Sequence, residues 1–169
     1  GITVDVKKGF LYCSFTTALL KYTLDGKFIG SVGGLTGHMG CIDFCEEDGR
    51  VWGSLEYKND AIGAGIRKGL GDKDENINGF YAVAFDVDRI TRPDMDATKD
   101  GIMTAVYLRE VVDDYEAPGH RYGCSGIDGT GFGPAFGQPA GTKEYLHIAY
   151  GIYGDVARGD NDYQIILRY

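Results

Sequence analysis

Three times along this chain the same succession of short apolar runs returns. That repetition limits the fold more than any single motif does. Opening runs read Ile2-Thr3-Val4-Asp5, Cys41-Ile42-Asp43 and Gly126-Ile127-Asp128. Second runs read Leu11-Tyr12-Cys13-Ser14-Phe15, Val51-Trp52-Gly53-Ser54-Leu55 and Leu146-His147-Ile148-Ala149-Tyr150. Third runs read Leu20-Lys21-Tyr22-Thr23-Leu24-Asp25, Val83-Ala84-Phe85-Asp86-Val87-Asp88 and Ile165-Ile166-Leu167-Arg168-Tyr169. Each run is short, rich in β-branched and aromatic residues, and closed by turn residues, as strands are. No helical period competes over any long window. An all-β chain of consecutive antiparallel units is therefore expected, each unit a supersecondary element that buries its faces against its neighbours.

A second echo marks where the units open. Gly37-His38-Met39-Gly40-Cys41-Ile42-Asp43 returns as Gly119-His120-Arg121-Tyr122-Gly123-Cys124-Ser125-Gly126-Ile127-Asp128. The unit boundaries drawn from it are 1–36, 37–118 and an incomplete 119–169. Asp25-Gly26 in the first unit is a strong hairpin signal. The second unit is read as strands over 39–44, 50–57, 80–87 and 102–111, with polar loops over 58–79 and 88–101. The third is read with a Gly/Pro-rich loop over 129–142 and strands over 144–150 and 162–169. It ends one strand short of the pattern.

Composition narrows the function classes. The 169 residues carry a formal charge of -8. An acidic surface repels a phosphate backbone, so no nucleic-acid partner is expected, and anionic membrane is disfavoured too. No apolar run is long enough for a membrane-spanning helix. The acidity gives a slight lean toward an extracytoplasmic setting. The first residue is Gly1, inside an apolar alternation, and the chain is expected to be a processed product or a piece of something longer. Cys13, Cys41, Cys45 and Cys124 lie in strand-like text without a C-x-x-C pair, so they are read as small buried hydrophobes, not zinc ligands.

The first unit carries a nameable likeness. Gly1-Ile2-Thr3-Val4-Asp5, a Gly turn, Phe10-Leu11-Tyr12, then Leu20-Lys21-Tyr22-Thr23-Leu24-Asp25-Gly26-Lys27-Phe28 resembles a blade of the NHL and gluconolactonase-like β-propellers. The later units resemble the same pattern with insertions. The resemblance implies a partial propeller, two blades and three strands of a third, where family members have about six and closure needs at least about four. It also implies that the missing blades come from the remainder of a longer chain or from a second copy, because an open stack leaves unpaired strand edges. A different all-β sandwich is the remaining arrangement.

Within that frame the candidate site is the funnel. The opening strand of a blade lines the central channel, so His38 and His120 are expected to point toward the axis, with Arg121 and Tyr122 beside them as ligand-binding candidates. Two imidazoles suit a divalent metal (Ca, Mn or Zn) or acid–base work on a ligand. Some propeller lactonases and lyases that this architecture resembles hold such an ion with His or carboxylate ligands. Two ligands do not make a full site, so further donors are needed. The function so implied is binding, with transformation as an open option, of a small polar, carbohydrate-derived ligand. The other reading is a non-catalytic protein-interaction scaffold using its long loops.

Other clusters are read as structural. Asp5, Asp43 and Asp128 end the opening strands, where Asp satisfies turn amides. His147 takes the slot of Tyr12 and Trp52 and is read as a packing residue. The oxygen-rich run Asp94-Met95-Asp96-Ala97-Thr98-Lys99-Asp100 lacks the glycine and glutamate of a calcium loop and is read as a solvated acidic loop. Residues 63–71 lack the Gly-Lys-Ser/Thr ending of a phosphate loop.

Overall fold

The computed structural model describes residues 1–58, 61–70, 78–118, 124–153 and 164–169. Three antiparallel meanders follow one another. The first contains β1 (Ile2–Asp5), β2 (Phe10–Phe15), β3 (Ala18–Thr23) and β4 (Phe28–Gly33). The second contains β5 (His38–Cys45), β6 (Arg50–Tyr57), β7 (Gly79–Phe85) and β9 (Met103–Tyr107). The third contains β10 (Cys124–Pro134), β11 (Glu144–Tyr153) and β12 (Gln164–Arg168). Between β7 and β9, the two-residue strand β8 (Met95–Asp96) leaves the second unit and pairs in parallel with β4. The all-β character read from the sequence therefore holds, and the sheets are antiparallel apart from that short addition.

Opening strands lie at one edge of each sheet, and these edges meet. β1 packs on β5, and β5 packs on β10. The Asp43 carboxylate ties all three together. It accepts from Thr3 Oγ1 of β1 at 3.2 Å, from its neighbour Phe44 N at 2.9 Å and from Phe132 N of β10 at 2.8 Å. Asp5 behaves as a turn residue instead, taking the Lys8 amide at 2.9 Å.

The middle sheet is buried on both faces. Val83 and Phe85 of β7 join Tyr12, Leu19, Val32, Ile42 and Val51 in a core shared with the first sheet. Phe80 and Ala82, on the opposite face, join Ile127, Leu146, Ile148 and Tyr150 in a core shared with the third. Apolar residues at both parities are what a strand covered on both sides requires, and the uninterrupted text of residues 80–85 supplies them.

Four sequence expectations need correction. Residues 58–79 contain a helix, α1 (Ala61–Leu70), where a loop was expected. A second helix, α2 (Arg109–Glu116), takes the end of the strand expected over 102–111, because Val111, Val112 and Tyr115 are spaced to bury one helical face in the second core. β10 continues through Gly129 to Pro134, where a loop was expected, because its glycines pair fully with β11. Cys41 is exposed, and Cys13 and Cys45 are only partly buried, so these three are not the buried hydrophobes expected.

The acidic stretch 88–101 is largely exposed, as expected, but it is pinned to the core at two points. Ile90 and Ala97 are fully buried in the first core. The carboxylates of Asp96 and Asp100 are spent on backbone amides, Lys99 N at 2.8 Å and Asp96 N at 2.8 Å respectively. A calcium loop is not needed to explain them.

Candidate functional site

Cross-strand pairing begins the site. His38, the first residue of β5, stands directly opposite Glu56 of β6, and directly opposed residues point to the same face of a sheet. The third member arrives from β10. Its register with β11 shifts between Gly126 and Gly129, leaving Ile127 and Asp128 outside the ladder. Such a bulge re-aims the chain. The freed Ile127 amide donates to Glu56 Oε2 at 2.9 Å, and Asp128 Oδ1 lies 3.6 Å from His38 Nδ1. Glu56 Oε1 lies 3.5 Å from the same ring nitrogen. One nitrogen and two carboxylate oxygens thus fall within 4.8 Å of one another.

Glycines make this approach possible at two places. A Cβ on Gly126 would sit 2.5 Å from Glu56 Oε2, and one on Gly40 would sit 2.5 Å from Ser54 Oγ and 2.9 Å from the Asp128 carbonyl oxygen. β10 reaches β5 and β6 only because those side chains are missing.

Glu56 is the floor of the site and Asp128 its open wall. The Glu56 side chain is 3% exposed, His38 31% and Asp128 43%. Beside the floor, buried Lys58 places its ammonium 2.7 Å from Glu56 Oε1. Gly63 and Ile66 of α1 border the same narrow crevice, so the helix missing from the sequence reading helps to shield this side.

The charges are coupled. The bond to Glu56 raises the His38 imidazole above its ordinary value, against the opposing effect of burial. Burial alone would push the Glu56 carboxyl up, but His38, Lys58 and the Ile127 amide together hold it below its ordinary value. Asp128 is shifted up, by burial first and then by the Glu56 charge. A cation held by Nδ1 and the two carboxylates needs that nitrogen's lone pair, so His38 gives up its Nδ1 proton when an ion binds and then carries its remaining proton on Nε2.

The donor set fits a divalent ion. Imidazole with two carboxylates suits zinc or manganese, whereas calcium takes six or more oxygens. Asp128 is the most exposed of the three. Of the residues singled out in the sequence, His38 is in this cluster. His120, Arg121 and Tyr122 lie outside the described residues. Asp128, expected to serve only its turn, faces His38 instead. Glu56 was overlooked, although a carboxylate and a lysine two residues apart at the end of an apolar strand were a visible signal: alternation puts both on one face. His147 packs against Phe136 with ring centroids 5.3 Å apart and the planes tilted by 57°.

Comparison with known proteins adds no relative: no family model matches the chain, and neither a curated protein nor a solved structure is detectably similar to it.

Proposed function

We propose that the three meanders are successive blades of a β-propeller, and that His38, Glu56 and Asp128 form a divalent-cation site that holds a small polar ligand. The observation that carries this reading is the convergence of three donor atoms from β5, β6 and β10 within 4.8 Å, with one side open to solvent. The side-by-side opening strands support the blade reading. So do the apolar residues left on the outer face of the first sheet, where Ile2 is 69% and Phe15 58% exposed. Further sheets, from the rest of a longer chain or from a second copy, would cover that face.

Bound there, a divalent ion would polarise a carbonyl or hydroxyl oxygen of the ligand. A polyhydroxylated or carboxylated molecule has such oxygens to offer. The chain's own contribution is placement. Glu56 is fixed by Lys58 and the Ile127 amide, and it in turn orients His38. The scaffold reading, which uses the loops 58–79, 88–101 and 129–143, is less well supported, because α1 and β10 take parts of the first and the third and Ile90 and Ala97 anchor the second in the core.

Calorimetric titration with manganese(II) tests the proposal. This hard ion is chosen because the cysteine thiols compete poorly for it. One saturable site is expected, weakened about tenfold or more, or at least about 1.4 kcal/mol, by His38→Ala and by Asp128→Asn. His38 and Asp128 are partly exposed, so both variants should fold. Absence of saturable binding, or binding indifferent to both substitutions, would refute the cation site and favour the scaffold.

A further inference from the structure

A cavity of about 550 Å³ opens between the second and third sheets, next to the β5–β6 turn. It shares no lining residue with the His38 crevice. Small-molecule sites typically run from about 300 to about 1,000 Å³, with apolar walls and a few placed polar groups. This cavity has that make-up. Trp52 and Phe132 form its aromatic wall, edge to face with centroids 6.2 Å apart, and Leu108 and Leu146 line it from α2's approach and β11.

The charged groups of the lining are of one sign. Asp48, Glu47 and Glu144 lie at the rim. Asp48 is committed to the fold: its carboxylate takes the Arg50 amide at 2.9 Å and the Trp52 indole N–H at 2.9 Å. The indole donor is therefore satisfied. Glu47 and Glu144 are exposed and bring negative charge to the opening. No basic side chain is among the described lining residues. Lys143 and Arg168 instead stack on Tyr145, each 4.9 Å from its ring centroid. Tyr145 also borders the cavity, and its alternation with Leu146 along β11 directs its ring toward the other face of the sheet.

We infer that this cavity is a second binding site, for a small organic amine with an aromatic or branched aliphatic body. The apolar body enters between Trp52 and Phe132, and the ammonium stays at the rim with Glu47 and Glu144. Two exposed carboxylates, in a lining that holds no basic side chain, favour a cation and reject an anion of the same shape. The net charge of -8 adds a field of the same sign.

Trp52 is the chain's one tryptophan and lies in the wall, so its emission reads the site directly. Phenethylamine should change that emission saturably and bind about tenfold or more tighter than 3-phenylpropionate, with 2-phenylethanol between them. In the rim double variant Glu47→Gln/Glu144→Gln the amine should fall to the level of the alcohol, while the alcohol is unaffected. Val106→Phe, at a lining position 54% exposed, should weaken all three probes without unfolding the chain. No saturable change with any probe would overturn the inference. So would equal affinity for amine and carboxylate. A Trp52 shift that follows protein concentration alone would overturn it as well, by showing that a second copy fills the cavity.

Discussion

Glu56→Ala should cost about 3–5 kcal/mol of folding stability, the range seen when one partner of a buried ion pair is removed. Glu56 and Lys58 are 3% and 5% exposed at their side chains, so water does not replace the lost carboxylate. The variant removes the 2.7 Å contact between Glu56 and the Lys58 ammonium and takes the acceptor from the Ile127 amide. Glu56→Gln, which keeps an acceptor for the amide but not the charge, should lose less. Urea denaturation at neutral pH measures both. The sign of the pH dependence also follows. Glu56 is held below its ordinary value, so its contribution is complete above the ordinary carboxyl range and disappears as pH falls through the lowered folded value. The gap between wild type and Glu56→Ala should therefore close in acid. His38 runs the other way: its contribution is complete below the ordinary imidazole value and is lost as pH rises through the raised folded value. A loss under about 1 kcal/mol for Glu56→Ala would mean that Glu56 is not the main support of the buried Lys58 charge.

Gly40→Ala should destabilise by about 1–3 kcal/mol, the cost of forcing extra volume into a packed contact, and should weaken cation binding as well. Its Cβ would lie 2.9 Å from the Asp128 carbonyl oxygen and 3.0 Å from Asp128 Cα. Those are backbone atoms of a neighbouring sheet and cannot swing aside. Relief has to come from moving β10 away from β5, which draws Asp128 off His38. Gly33→Ala is the control: Gly33 is also in a strand, but a Cβ there meets nothing within 4 Å. Thermal melts should separate the two. If both variants melt like wild type, then β5 and β10 are not held as closely as the site requires.

The strands were legible where alternation was local. Asp25-Gly26 announced the β3–β4 hairpin, and Gly26 does take the left-handed conformation, at φ +86°. Residues 80–85 announced a strand because both of its faces needed apolar side chains. What escaped was structure with a mixed local signal. Residues 61–70 hold Ile62, Ile66 and Leu70 at every fourth position, but three glycines among them read as loop. Glycine misled in β10 as well. There Gly126 and Gly129 serve close packing: a Cβ added at Gly129 would come 2.8 Å from that of Ala149.

The site divides the same way. His38 stood out through its echo at His120. Asp128 was noticed but placed with the turn residues, because nothing local tells that β10 bulges there. Glu56 could not be linked to either, since the link is a cross-strand pairing and a contact between sheets far apart in sequence. Repetition located one ligand candidate; long-range packing supplied the other two.

The most direct test of the site follows the ring signals of the three histidines by NMR while substoichiometric manganese(II) is added. The His38 signal should broaden first and most, and Glu56→Gln should blunt the effect, with His147 remaining sharp at that stage. If His38 keeps its line width while another histidine broadens, or if no ring signal responds, then the imidazole and the two carboxylates are not a cation site.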